Sequence, residues 1–271
     1  MLPLLNERKI TPEELNQGLL QAGLKDGDSV MMHASLEKIG TVDGGAAMVI
    51  HRLLRVIGDN GTLLVPTFTS ISRHGQSHDN FTAPNCWCEG KEERHVPFIP
   101  ELQPDKQLGA ISHRLCSWPR SRRSKHPGYS FVGVGKHADE VLSELKLDDP
   151  LLPIKKLLKY NPNIILVGVD LTAATAIHLA RASKSSANPD ERALTISSKG
   201  LNWVNIKGLG CSNGYQKLAS NLTKREPKMI GTANTEVYSI KELIETGRSI
   251  LKKDYTALNC DNQSCLSCAV R

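Results

Sequence analysis

The stretch DSVMMHASLEKIGTVDGGAAMVIHRLLRVIGDNGTLLVPTFT, residues 28–69, has two short apolar runs on either side of an amphipathic segment. The first run, Asp28 to Leu36, is mostly apolar and short, as buried strands are. The middle segment predicts a helix from about Gly45 to Ile57, and the second predicted strand stops near Pro66. A strand, a helix and a strand in this order imply a parallel crossover unit.

The flanking segments continue this pattern. Thr11 with Glu14 predicts a capping box at the first helix, and Ser239 with Glu242 predicts a second one at the last helix. A helix is predicted at AATAIHLARASK and another at GYQKLASNLTKR, whereas ALTISSKGLNWVNIKGLG predicts a hairpin and residues 70–107 predict a long loop. The predicted class is α/β, with a mixed, largely parallel central sheet flanked by helices and a smaller antiparallel portion in the C-terminal third.

Composition narrows the classes of partner. The chain has 271 residues, a formal net charge of +6 and a pI of about 8.9, which favour anionic ligands. Aromatic residues make up only 4% and no long block of like charges occurs, so no nucleic-acid partner is expected. No apolar run is long enough to span a bilayer and no signal peptide is evident, which predicts a cytoplasmic protein without a membrane partner.

Two loops are candidate anion sites. In HASLEKIGTVDGG, residues 33–45, backbone N–H groups at the predicted helix start could hold a phosphate, and a plain strand-to-helix connection is the alternative. In RRSKHPGYSFVGVG, residues 122–135, arginine forks and a seryl hydroxyl suit phosphate oxygens, and a solvated basic loop is the alternative.

His178 is the candidate for acid–base chemistry. It follows the most apolar strand, NIILVGVDL, on the side where open α/β sheets bind ligands. A histidine there can act as a general base near neutral pH, and a structural histidine is the alternative.

The seven cysteines suggest reduced thiols rather than a disulfide framework. Cys86 and Cys88 with His95 nearby, and Cys260, Cys265 and Cys268 at the C-terminus, fall short of a paired zinc motif. Free thiols are preferred over structural zinc on this evidence, and no metal is expected.

Taken in order, the segments resemble the aminoglycoside 3-N-acetyltransferase family of antibiotic N-acetyltransferases. Eight collinear motifs carry the resemblance: HASLEKIGTVDGG, GDNGTLLVPTFT, LGAISHRL, RRSKHPGYSFVGVGKHA, DDPLLP, NIILVGVDLTAATAIHLA, GCSNGY and MIGTA. They extend over nearly the whole chain, which implies a single domain over residues 1–271. The resemblance further implies acetyl-coenzyme A as co-substrate and, as partner, a small-molecule amine that is acetylated directly, an aminoglycoside being one candidate.

The resemblance also assigns residues to the site. It implies His178 as the group acting on the acceptor amine. The oxyanion of the tetrahedral intermediate needs hydrogen-bond donors, for which a hydroxyl such as Thr175 and backbone N–H groups are the alternatives. The cofactor-binding residues that it implies are His33, Ser35, Leu36, Gly40, Val42, Thr67, Arg123, Ser124 and His126.

Two departures from the family pattern concern the acceptor side. HLAE in the family is HLAR here, with Arg181, and Lys207 stands in a region where some relatives carry a carboxylate. We expect Asp79, Asp170, Arg181 and Lys207 on the acceptor side. Because a polycationic acceptor prefers acidic neighbours, these cations disfavour aminoglycosides and leave a coenzyme A-binding member without catalysis as the alternative. A monomer or a homodimer is expected.

Overall fold

The computed structural model describes residues 9–75, 95–181 and 190–269. Its strands are β1 (Ser29–Ala34), β2 (Thr62–Pro66), β3 (Arg73–Gly75), β4 (Arg122–Arg123), β5 (Phe131–Gly135), β6 (Asn163–Val167), β7 (Asp190–Ser197), β8 (Gly200–Lys207), β9 (Lys228–Ile230) and β10 (Ala233–Ser239). Its α-helices are α1 (Pro12–Gln21), α2 (Leu36–Ile39), α3 (Gly45–Ile57), α4 (Gly109–Cys116), α5 (Ala138–Leu142), α6 (Leu152–Leu157), α7 (His178–Arg181), α8 (Ile240–Lys253) and α9 (Leu266–Ala269). In these ranges, no helix combines the length and apolar character that crossing a membrane requires.

The larger sheet has seven strands in the order β4-β5-β2-β1-β6-β10-β9. β1 pairs in parallel with β2 and with β6, so that Met31 lies opposite both Leu64 and Ile164. The outer pairs are antiparallel. The predicted α/β class is therefore confirmed, with parallel pairing confined to the three central strands rather than extending over most of the sheet.

A second sheet contains β3, β7 and β8, all antiparallel. β7 and β8 form the predicted hairpin, whose register extends from Asp190 opposite Lys207 to Ser197 opposite Gly200. β3 pairs with β7 and comes from a segment in which the sequence predicted only a loop.

Both faces of the larger sheet are buried. Along β1, Val30 and Met32 pack into one hydrophobic cluster, which includes α3, and Met31 packs into the other, which includes α8. Because side chains alternate along a strand, His33 lies on the Met31 face, at the end of β1.

The two predicted capping boxes have different outcomes. The Thr11 side chain accepts from the backbone N–H of Glu14 at 3.2 Å, and the Glu14 carboxylate accepts from the N–H of Thr11 at 2.9 Å. At α8, Ser239 occupies the N-cap without a side-chain bond. The second box was wrong, because the Glu242 carboxylate instead accepts hydrogen bonds from Arg225 and from the N–H of Thr223.

Two predicted helices are replaced by tighter turns. The segment AATAIHLARASK forms a 3₁₀ turn at Thr175–Ile177 and then the single turn α7. The segment GYQKLASNLTKR forms a 3₁₀ helix at Tyr215–Asn221. Both segments lie beside the cavity described next.

Candidate active site

A cavity opens at the carboxyl ends of the three parallel strands, where an open α/β sheet is expected to bind ligands. β1 contributes His33, β2 is followed by Phe68, and the chain after β6 contributes Thr172 and Thr175. The predicted position of the site at this edge therefore coincides with a cavity.

His178 lies on the cavity wall at the start of α7, with only 5% of its surface exposed. Its Nδ1 is 2.7 Å from the hydroxyl of Tyr215, and the two rings meet edge to face. Tyr215 is fully buried, so its hydroxyl holds the imidazole in one orientation. Tyr215 is a site residue that the sequence analysis missed.

Burial, together with the positive charge of Arg181, lowers the pKa of His178 to about 3. The imidazole is therefore neutral near pH 7 and able to accept a proton. Arg181 itself is buried, donates to Oδ1 of Asn259 at 3.1 and 3.2 Å, and stacks its guanidinium 5.7 Å from the Tyr215 ring centroid. It is absent from the cavity lining, so its expected contact with an acceptor stays a prediction.

Thr175 and Asp170 lie on the connection between β6 and α7. Thr175 lines the cavity and is 7% exposed. Asp170 accepts from the N–H of Thr172 at 2.9 Å and thereby closes the turn that follows β6. Its carboxylate is exposed and outside the cavity lining, so it orders this turn.

His33 has a ring nitrogen that is available to a ligand in the cavity. Its Nε2 is buried and has no hydrogen-bond partner among the described residues, and burial lowers the pKa of His33 to about 3. A buried polar atom without a partner is costly unless a ligand or water satisfies it. This feature fits the predicted contact with acetyl-coenzyme A.

The loop after His33 contains the other cofactor candidates of this motif. Ser35 caps α2 by accepting from the N–H of Lys38 at 3.3 Å, and Leu36 begins that helix. Gly40 has φ of 101°, a conformation that favours glycine, and Val42 forms a bridge with Ile10. The loop is ordered by these local contacts, and its role toward a cofactor stays a prediction.

Arg123 is engaged in internal hydrogen bonds. Its Nε donates to the hydroxyls of Thr67 and Ser130 at 3.2 and 3.0 Å, and its terminal nitrogens donate to the carbonyls of Thr67, Pro100 and Leu102. These bonds tie the segment before α4 to the end of β2. A cofactor would therefore have to compete with these internal hydrogen bonds for Arg123. The role of Arg123 and Thr67 in binding a cofactor stays a prediction.

Ser124 and His126 are also bonded internally. The Ser124 hydroxyl accepts from the N–H of Phe131 at 2.9 Å. Nδ1 of His126 accepts from the N–H of Tyr129 at 3.0 Å, and Nε2 donates to the carbonyl of Leu147 at 3.3 Å. Neither residue is in the cavity lining, so both shape the turn before β5.

A charged network that the sequence analysis missed closes the opposite wall. Arg73 Nη1 is 3.0 Å from a carboxylate oxygen of Glu191, and the Tyr129 hydroxyl donates to the same carboxylate at 2.8 Å. Asp105 accepts from the backbone and the hydroxyl of Ser70, and burial raises its pKa. Arg73, Asp105 and Tyr129 all line the cavity.

The remaining acceptor-side candidates are Lys207 and Asp79. Lys207 forms an ion pair with Asp190 across the β7–β8 hairpin and is not in the cavity lining, because its register position faces that carboxylate. Asp79 lies outside the described residues. The described structure thus gives no support for Lys207 as an acceptor contact.

Comparisons with known proteins identify the family. Residues 31–252 match a family model described as aminoglycoside 3-N-acetyltransferase. The prophage-derived aminoglycoside N(3')-acetyltransferase-like protein YokD of Bacillus subtilis is 28% identical over 244 residues, which cover 87% of this chain and 90% of that protein. Aminoglycoside N(3)-acetyltransferase IX of Micromonospora chalcea is 32% identical over 177 residues, which cover 64% of this chain and 62% of that enzyme.

Solved structures have the same fold. The crystal structure of YokD superposes with a TM-score of 0.80 at 27% identity, covering 90% of this chain and 99% of YokD. AAC-IIIb, solved as a binary complex with CoASH, superposes with a TM-score of 0.75 at 19% identity over 91% and 97% of the two chains. Since the family model spans most of the sequence, from β1 to the last turn of α8, this chain belongs to the aminoglycoside 3-N-acetyltransferase family.

Proposed function

We propose that this chain is a cytoplasmic, acetyl-coenzyme A-dependent enzyme that acetylates a primary amine of a small molecule by direct transfer, with His178 as general base. The observation that carries the proposal is the neutral His178 ring, held by Tyr215 on the wall of a cavity at the carboxyl ends of parallel strands. Membership of the family supplies the reaction class.

The residues present fit the co-substrate. Acetyl-coenzyme A, when bound, supplies the acetyl group as an activated thioester. His33 Nε2 offers the buried, unpartnered polar atom that a bound amide or carbonyl would satisfy. Phe68, Leu108 and Ile111 give the cavity an apolar wall that suits an extended aliphatic arm.

Each residue then has a defined task. The amine nitrogen bonds to the acetyl carbon, the carbon–sulfur bond breaks, and the thiolate leaves with the electron pair. His178 accepts the proton that the nitrogen loses and returns it to the thiolate, which gives the free thiol and restores the neutral imidazole. Thr175, on the same wall, is the proposed hydroxyl donor to the carbonyl oxygen.

The low pKa of His178 limits which form of the amine can react. An imidazole with a pKa of about 3 is too weak a base to deprotonate a free ammonium group. The amine must therefore arrive neutral and lose its proton as the new bond forms, when the nitrogen becomes acidic. We expect the rate to rise with pH as the amine deprotonates, with no inflection from His178 between about pH 5 and 8.

The acceptor is proposed from the names of the relatives and from the charges in the cavity. Aminoglycosides are the first candidates, since several relatives are named for them. Among the described lining residues, Asp105 and Arg73 have charged side chains, and the histidines are neutral. The charge of Arg73 is already balanced by Glu191, and the single remaining carboxylate is a weak attraction for a polycation, so we expect acceptors of low positive charge to be preferred.

The test is release of free coenzyme A thiol from acetyl-coenzyme A with a panel of aminoglycosides and smaller primary amines. We expect turnover with at least one amine. The control variant His51→Gln should have the same activity as wild type, because His51 is exposed on α3. His178→Gln should abolish most of it. Retained coenzyme A binding without turnover of any amine would instead support the non-catalytic alternative, and full activity of His178→Gln would exclude it as the base.

A further inference from the structure

Four cysteines from two distant segments meet in one cluster. Cys211 follows β8, and Cys260, Cys265 and Cys268 lie at the C-terminal end of the described chain. Their four sulfur atoms all lie within 4.8 Å of one another. Cys211 and Cys265 are buried, and the other two are half-buried.

The spacing of the sulfur atoms matches a metal site and not a disulfide. Sγ of Cys260 and Sγ of Cys268 are 3.7 Å apart. Four thiolates at the zinc–sulfur distance of about 2.3 Å in a tetrahedron are about 3.8 Å from each other. A disulfide would bring one pair to about 2.05 Å and leave the other two sulfurs unused or paired separately.

We propose that Cys211, Cys260, Cys265 and Cys268 bind one structural zinc ion. Four thiolates complete a tetrahedral shell and leave no open position for substrate, which is the arrangement of structural rather than catalytic zinc. The expectation of no metal rested on the absence of a paired zinc motif, and the C-terminal cysteines supply only three ligands. The fourth comes from the GCSNGY segment, which the fold brings beside them.

The ion would connect the C-terminal segment to the loop that holds the general base. Cys211 lies between Leu209, whose backbone hydrogen bonds to His178, and Tyr215, whose hydroxyl contacts Nδ1. Zinc binding is independent of the proposed function, and only its effect on catalysis rests on that proposal.

Other contacts join the same two segments. A Cβ at Gly214 would lie 2.4 Å from the carbonyl oxygens of Leu258 and Asn259, so the two backbones approach as closely as glycine allows. Asn259 donates to the carbonyl of Cys268 at 3.3 Å and accepts from Arg181. Arg181 is therefore linked to the cluster through Asn259.

The first experiment measures zinc in the full chain purified under reducing conditions, with X-ray absorption at the zinc edge. We expect about one zinc per chain, bound by four sulfur atoms at about 2.3 Å. Zinc well below one per chain after reconstitution, a shell containing nitrogen, or two disulfides by mass spectrometry would each overturn the proposal. These readouts use wild-type protein and do not require that any variant folds.

Variants then locate the site. Cys260→Ser and Cys265→Ser should lose most of the zinc and lower the melting temperature, whereas Cys116→Ser, at the end of α4 and outside the cluster, should keep it. A second control, Cys86→Ser with Cys88→Ser, should also keep it. Loss of zinc in this control together with retention in Cys265→Ser would place the metal elsewhere and overturn the assignment.

Discussion

His126 and His178 are both buried histidines in turns at the edge of the larger sheet, and they differ in whether the ring lines the cavity. At His126 both nitrogens are used internally, since Nδ1 accepts from two backbone N–H groups, of Gly128 and Tyr129, and Nε2 donates to Leu147. At His178 the ring is also hydrogen-bonded internally, to Tyr215 through Nδ1 and to the Leu209 backbone, but it lies on the cavity wall.

Burial and pKa do not separate these two histidines. Burial lowers the pKa of His126 to about 4 and that of His178 to about 3, so both rings are neutral near pH 7. What separates them is whether the ring faces a cavity or completes a turn. The pair shows that a perturbed pKa indicates a functional residue only together with access to a ligand.

The largest expected effect follows from removing the ring at the cavity. His178→Ala should lower kcat by about 10²–10⁴-fold, because a positioned general base contributes that much. Steady-state kinetics with the best amine from the panel checks this, with coenzyme A affinity measured alongside. A kcat within a few-fold of wild type, in a variant that binds coenzyme A normally, would remove the catalytic distinction between the two histidines.

Removing the other ring should affect stability instead. His126→Ala leaves the N–H groups of Gly128 and Tyr129 without an acceptor, and we expect the free energy of unfolding to fall by about 1–3 kcal/mol. Denaturant titration measures this loss. His126→Asn, whose side-chain oxygen can accept in place of Nδ1, should recover part of it.

The cofactor assignment of His126 is tested by the same variants. Since the ring is absent from the cavity lining, folded His126→Asn should bind coenzyme A with an affinity close to that of wild type. A large loss of affinity at unchanged stability would restore His126 as a cofactor contact.

The two histidines should behave alike in acid. Each folded-state pKa lies below the ordinary value of 6.5, so the unfolded chain binds more protons than the folded chain. The stability that these rings contribute is therefore retained above pH 6.5 and lost as the pH falls toward 4. Each ring should contribute a slope of about 1.4 kcal/mol per pH unit in this window. Urea unfolding of wild type, His126→Asn and His178→Gln between pH 7 and 4.5 measures this slope of the free energy of unfolding. A slope equal to that of wild type in either variant would show that the replaced ring is not held neutral by burial.

Much of the fold could be predicted from residues that lie close together in the sequence. The apolar runs of β1, β2 and β6, the Gly58 boundary of α3 and the capping box at Thr11 were all predicted correctly, because each depends on residues close in the chain. The second capping box failed because Arg225, from a distant loop, binds the Glu242 carboxylate. Pairing of β3 with β7 was missed for the same reason, since it joins segments far apart in the sequence.

The site was predictable to a smaller extent. The resemblance identified His178, but its partner Tyr215 is 37 positions away and has no local signature. Basic residues suggested anion binding at Arg123 and acceptor contact at Lys207. In the fold, Arg123 donates to backbone carbonyls and Lys207 pairs with Asp190. Neither partner can be inferred from the charges in the sequence.

The smallest expected effect concerns the hydrogen bond that orients the base. Tyr215→Phe keeps the buried ring and removes the hydroxyl at Nδ1 of His178, so we expect kcat to fall about fivefold, the equivalent of one hydrogen bond of about 1 kcal/mol. Tyr160→Phe is the matched control, since its hydroxyl contacts Glu140 outside the cavity lining. If Tyr215 acts by positioning His178, the loss should be in kcat rather than KM, and it should disappear in the His178→Gln background. A loss that persists without His178 would mean that Tyr215 supports the wall of the cavity and that the base is oriented by other contacts.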